Sequence, residues 1–170
     1  MPKMKLPTPF EYDVIAMRGI IIANTIEVER KMDDFLSNHF CATIERKNEL
    51  CELLFFTERI TFEMKKTMVF ALLKDHYKKF KSEHKPFVQN LQDITPYRNV
   101  FAHYEIELDK CESIDTPLGT KISTLVFKKY KSGKYKPAKY SITELNELSE
   151  KMNYVISGFK SLLIEMPPLT

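Results

Sequence analysis

The stretch Arg98-Asn99-Val100-Phe101-Ala102-His103-Tyr104 places a permanent cation, an amide and an imidazole within two helical turns. These residue types suit phosphodiester chemistry. A guanidinium holds a phosphate through a planar fork of donors, and an imidazole accepts or gives a proton near neutral pH. None of these roles requires a metal ion. On an α-helix Asn99 and His103 are four residues apart and share a face, whereas Arg98 and His103, five apart, diverge by about 140°. Arg98 must therefore reach around the helix to meet the imidazole. Pro96 favours a helix start or kink, and the charged alternation after Tyr104 no longer has helical spacing, so the motif is expected at a helix end. From residue types alone, a surface arginine and a helix-terminal histidine beside the last carbonyls would account for the pair equally well.

Other chemistries have weaker footing. His39 near Cys41, and His76 near His84, lack the spacing of a closed zinc site, and helix-end packing and solvent exposure account for them. No cysteine lies near His103 in sequence, which argues against a Cys/His nucleophile. Gly19, Gly119, Gly133 and Gly158 are scattered, so there is no glycine loop to cradle a nucleotide phosphate. No metal and no cofactor is expected. Cys41, Cys51 and Cys111 are an odd number without a Cys-x-x-Cys pair, the usage of reduced thiols in a cytoplasmic protein. The longest apolar run, Val14 to Ile26, carries Arg18 and Asn24 and is too short for a bilayer, so it reads as a buried helix and no membrane association is expected.

The elements that must position the motif are mainly helical. At 170 residues with 44% hydrophobic content, one soluble domain spanning 1–170 can bury a core without disulfides. Phe10, Val14, Met17, Ile21, Val28, Met32 and Phe35 recur at helical spacing and predict a helix over about 10–40. A second is expected from about Glu45 to Phe56. Threonine caps between Thr57 and Thr61 lead to a third from Phe62 to about Phe80, with Val69, Leu72, Leu73 and Tyr77 inward. Pro86 opens the motif helix, with Val88, Leu91 and Ile94 facing the core.

The pattern then changes to alternating and β-branched residues at Glu105–Asp109, Lys121–Tyr130 and Lys134–Tyr140, with Ser132-Gly133 as a tight turn. These predict a two- or three-stranded antiparallel meander over about 105–140. Ser141-Ile142-Thr143-Glu144 is a capping box, with Tyr140 and Leu145 as a hydrophobic staple. A final helix over about 141–165 carries Leu145, Leu148, Met152, Val155, Ile156, Phe159 and Leu163. The expected fold is all-α: an antiparallel bundle of about four to five helices with a β-hairpin inserted before the last.

Net charge is only +3, yet Pro117 to Thr143 holds seven lysines and no acid, whereas Phe101 to Thr116 holds five acids and one lysine. In the expected hairpin Lys128, Lys129, Lys131, Lys134, Lys136 and Lys139 alternate with Tyr130, Tyr135 and Tyr140. Cations interleaved with stacking rings suit single-stranded nucleic acid. Lysines on an exposed hairpin also prevent edge-to-edge pairing, and that role needs no RNA.

The Arg98-Asn99-x-x-x-His103 segment resembles the Arg-x4-6-His signature of the HEPN superfamily, small helical domains many of which are metal-independent endoribonucleases of toxin–antitoxin and phage-defence systems. Asn99 fits the polar residue the family carries after its arginine. Phe62-Glu63-Met64-Lys65 resembles the family's Phe-x-x-Lys, which opens the helix before the motif helix, and the closing amphipathic helix stands where the family has one. One departure is visible: in a toxin subgroup a tyrosine modified by the partner follows the histidine by two residues, and here that position is Glu105, with Tyr104 one place early. The resemblance implies a homodimer whose composite cleft takes Arg98, Asn99 and His103 from each subunit, with RNA as substrate and cleavage by 2′-hydroxyl attack. Lys65 would add a phosphate-binding cation if it faces that cleft, and Tyr104 would stack on a base or pack. Two alternatives are an RNA-binding or dimerisation module that does not cut, and a partner-binding protein that docks an antitoxin, with Arg98 and His103 structural.

Overall fold

Local signals set most of the helix boundaries in the computed structural model, which describes residues 7–57, 59–116 and 119–170. Helix α1 spans Pro9–Phe40 and α2 Ile44–Leu50, the latter capped by the Thr43 hydroxyl accepting from the Arg46 amide at 3.3 Å. A π-helical turn, Cys51–Phe55, continues α2. Thr61 caps α3, Phe62–Asp75, in the same way, its hydroxyl accepting from the Met64 amide at 3.3 Å. The expected run to Phe80 is broken. The amides of His76 and Tyr77 both donate to the Leu72 carbonyl, and the Tyr77 ring is held edge-on to Phe35 with its phenol 3.0 Å from His39 Nδ1. A short helix α4, Lys78–Glu83, follows. Helix α5, Pro86–His103, runs through Pro96 and ends on the histidine of the motif.

The β region keeps the expected meander but shifts its strands. Strands β1, Glu112–Thr116, β2, Gly119–Phe127, and β5, Ala138–Ser141, form an antiparallel sheet in the order β1-β2-β5. Two-residue strands β3, Tyr130–Lys131, and β4, Lys134–Tyr135, form a separate ribbon. Its turn has Ser132 at φ 52° and Gly133 at φ 75°, the left-handed pair that a two-residue hairpin of this twist requires. The expected strand at Glu105–Asp109 makes only the Ile106–Phe127 bridge before a 3-10 turn at Leu108–Lys110. Strand β1 replaces it. No alternation announces β1, since all but the last of its residues are exposed and its order comes from pairing with β2. The capping box forms as expected: Ser141 Oγ accepts from the Glu144 amide at 3.2 Å, and Glu144 Oε2 accepts from the Ser141 amide at 2.7 Å. Both Ser141 donors hold the Glu144 carboxyl below its usual range. Helix α6, Ile142–Glu165, follows, with Leu162 rather than Leu163 buried on its stripe.

Among the described residues the chain is mostly helical, and no helix is long and apolar enough to cross a membrane. The chain divides into two compact units: Met1–Ala23 with Pro96–Ser149, and Asn24–Thr95 with Glu150–Thr170. In the first, Phe101 lies 4.6 Å from Phe127 and 5.6 Å from Tyr140 by ring centroids, and Val14, Ile21, Leu125 and Leu148 are also buried. In the second, Phe159 sits between Phe35 at 5.9 Å and Phe87 at 5.0 Å, with Met32, Leu73 and Leu91 buried.

Candidate functional site

The last turn of α5 buries Val100 and Phe101 and thereby turns Asn99, Ala102 and His103 toward solvent. Arg98 is half-buried and reaches the imidazole: its Nη1 lies 3.2 Å from His103 Nε2. A guanidinium only donates, so Nε2 can only accept in this contact, which calls for the tautomer with its proton on Nδ1. The divergence set by the five-residue spacing is thus closed by the length of the arginine side chain. Asn99 is exposed one turn before His103 on the same face.

Arg18 holds the end of this helix. Its Nε donates to the Phe101 carbonyl at 2.9 Å and its Nη2 to the Tyr104 carbonyl at 3.0 Å, with the guanidinium 6.0 Å from the Phe127 ring centroid. The last carbonyls of a helix lack intrahelical partners and favour a cation, so the contact satisfies acceptors that bracket His103. The sequence does carry a signal for it, a lone arginine inside the apolar run Val14 to Ile26, but its target is more than 80 residues away.

Tyr104 is half-buried, and Lys129 Nζ lies 5.9 Å from its ring centroid, so these two expected substrate-binding residues stand together immediately after His103. Lys128 faces Glu105 at 3.5 Å and Lys139 faces Glu112 at 3.6 Å, so the acidic stretch offsets part of the basic one. Lys134 is exposed on β4, and the Tyr130 and Tyr135 rings meet edge-on at 5.9 Å. Lys131 belongs to β3, and its side chain lies outside the described part of the structure. Tyr135 donates its phenol proton to Glu107, and Lys110 Nζ lies 2.7 Å from the phenol oxygen and 2.9 Å from Glu107 Oε1. The Tyr135 phenol and the Lys110 ammonium keep the Glu107 carboxyl below its usual range.

Lys65 corrects an expectation. It opens α3 three residues after Phe62, yet it is 2% exposed, and its ammonium donates to Glu29 Oε1 at 2.9 Å, Asp33 Oδ2 at 3.0 Å and the Phe55 carbonyl at 2.9 Å. An ammonium has three donors and all three are used, so none is left for a phosphate. Burial pushes the Asp33 carboxyl up to about 6 against the opposing pull of Lys65. The histidines outside the motif are in packing roles: His39 contacts Tyr77 and the His76 ring at 5.1 Å, and His84 stacks on Phe80 at 4.2 Å. Burial, then the neighbouring His76, keeps His39 below the usual imidazole range. Among the described residues no three His, Cys, Asp or Glu side chains gather as metal ligands, and Cys41, Cys51 and Cys111 are free thiols. The Arg98–His103 contact, with Tyr104, Lys129 and the Arg18 clamp around it, is the arrangement best suited to chemistry on an anion. No family model, no curated protein and no solved structure matches the chain.

Proposed function

We propose that the chain is a metal-independent endoribonuclease of the HEPN type, a toxin or phage-defence effector, with Arg98, Asn99 and His103 as its reactive residues. The observation that supports this most is the 3.2 Å contact between Arg98 Nη1 and His103 Nε2 at an exposed helix end. A phosphodiester entering there competes for the guanidinium and draws Arg98 off the imidazole. Nε2 is then free to take the proton of the ribose 2′-hydroxyl. The 2′-oxygen attacks phosphorus, the bond to the 5′-oxygen breaks, an acid protonates that oxygen, and the guanidinium balances the added negative charge. Products are a 2′,3′-cyclic phosphate and a 5′-hydroxyl. Asn99 orients the phosphate or the imidazole, while Tyr104 and Lys129 take a flanking base and its backbone.

One chain brings one motif imidazole, and the mechanism uses a proton carrier on each side of phosphorus. In this proposal a twofold dimer of antiparallel helical bundles, joined along α5, brings both sets of residues to one cleft. The test is incubation of purified protein with mixed cellular RNA in excess chelator beside His103→Ala. Fragments with cyclic ends from wild type alone are expected, and variant activity within twofold of wild type sinks the assignment. A non-cutting RNA-binding module is the second reading. It is favoured by the same contact, which occupies Nε2 in the resting protein, and it predicts retained RNA without fragments.

A further inference from the structure

We infer that Arg18 is the positioning residue of the Arg98–His103 site. This rests on the reactive role proposed for that pair, but its geometry stands apart from it. The chain leaves helical geometry at Tyr104, whose amide still bonds to the Val100 carbonyl at 3.0 Å, and is paired with the sheet from the next residue, the Glu105 carbonyl accepting from Lys128 and the Glu107 amide donating to Val126, both at 2.8 Å. His103 therefore sits at the junction of two hydrogen-bond systems. Arg18 spans that junction, its Nε on the Phe101 carbonyl and its Nη2 on the Tyr104 carbonyl. Exposed helix ends are ordinarily finished by water or by a glycine cap. Here a half-buried permanent cation from α1 fixes the two carbonyls that bracket the imidazole, so the direction of His103 relative to Arg98 depends on a backbone held by Arg18.

A lysine cannot reproduce this contact, because its donors radiate from a single nitrogen whereas the guanidinium spreads its donors across a plane and meets the two carbonyls from two separate nitrogens. Arg18→Lys should therefore be intermediate and Arg18→Gln worse. The readout independent of activity is the ring nitrogen spectrum of His103, recorded by long-range proton–nitrogen correlation and assigned with His103→Ala. Wild type should show one tautomer, with the proton on Nδ1. Arg18→Gln, folded by circular dichroism, should show exchange-averaged tautomers. Arg18→Lys is read the same way should the glutamine variant not fold. A folded Arg18 variant with His103 ring signals identical to wild type overturns the inference. With RNA, kcat should fall at least tenfold in Arg18→Gln while KM stays within twofold, and a change confined to KM would place Arg18 on the substrate and overturn the positioning role. Wild type that does not cleave RNA defeats the ribonuclease proposal, while the ring spectrum still decides Arg18.

Discussion

At the scale of single residues, shape matters as much as charge. Arg98 both contacts His103 and is proposed to meet a phosphate, and a forked, planar cation can shift between the two without losing its charge. Arg98→Lys keeps the charge and loses the fork, so RNA cleavage should drop on the order of tenfold or more. Cleavage equal to wild type would remove Arg98 from the site. The buried carboxyl of Asp33 makes a separate prediction. Its folded value of about 6 lies above the ordinary 3.8, so it holds its proton more tightly in the folded chain. Its stabilising contribution is complete below about pH 4 and lost as pH rises through about 6. Asp33→Asn cannot titrate, and Lys65 keeps Glu29 and the Phe55 carbonyl as acceptors. Whatever the constant offset, stability of the variant relative to wild type should rise between pH 4 and pH 7.5 by on the order of 2–3 kcal/mol. Denaturant melts at the two pH values check this, and a difference that stays flat or shrinks would contradict the assigned cause.

At the scale of elements, two helix contacts carry most of the testable content. Gly158 on α6 lies against the Phe87 ring: an added Cβ would stand 2.6 Å from Cδ2 and 2.7 Å from Cε2. Phe87 is fully buried between Phe80 at 5.3 Å and Phe159 at 5.0 Å, so the ring has little room to give. Alanine would gain about 1 kcal/mol of helix propensity, whereas overpacking a filled core costs roughly 1–3 kcal/mol. Gly158→Ala should therefore lower the melting temperature, and an equal or higher value would show that the ring yields. At the other end of α6 the capping box is exposed and local. Ser141→Ala removes the acceptor for the Glu144 amide and should cost about 1 kcal/mol without touching RNA cleavage. Unchanged stability in a urea melt would mean that water replaces the cap without loss.

At the scale of the whole molecule, the proposed chemistry asks for two imidazoles and the chain supplies one at the motif. A homodimer sharing one cleft on its twofold axis predicts that a mixed dimer of wild-type and His103→Ala subunits loses far more than half its activity. Each acid or base is worth roughly 10²- to 10⁴-fold. Purifying mixed dimers through two different tags and assaying them in chelator measures this directly. Half of the wild-type rate, or full activity from a monomer in sedimentation, would refute the composite cleft. A substrate with a 2′-deoxy sugar at the scissile position should resist cutting in either case, since the nucleophile would be missing.

The features legible in the amino-acid sequence are those whose partners are three or four residues away. Thr61, the Ser141–Glu144 box and the Ser132-Gly133 turn each act on their own neighbours, and the apolar spacing of α1, α5 and α6 repeats within each helix, so pattern and propensity were enough to find them. The types and spacing of Arg98, Asn99 and His103 were legible for the same reason, though not that Arg98 meets Nε2. Tertiary structure alone decided the rest, through pairings that no local pattern records. Lys65 looked like a cation for substrate and is instead consumed by Glu29 and Asp33, 36 and 32 residues before it. Strand β1, mostly polar and without alternation, is ordered by the pairing that β2 offers. Arg18, 83 and 86 residues from its acceptors, finds them only because folding brings the first helix to the end of α5, and a charged side chain half-removed from water must find such acceptors there.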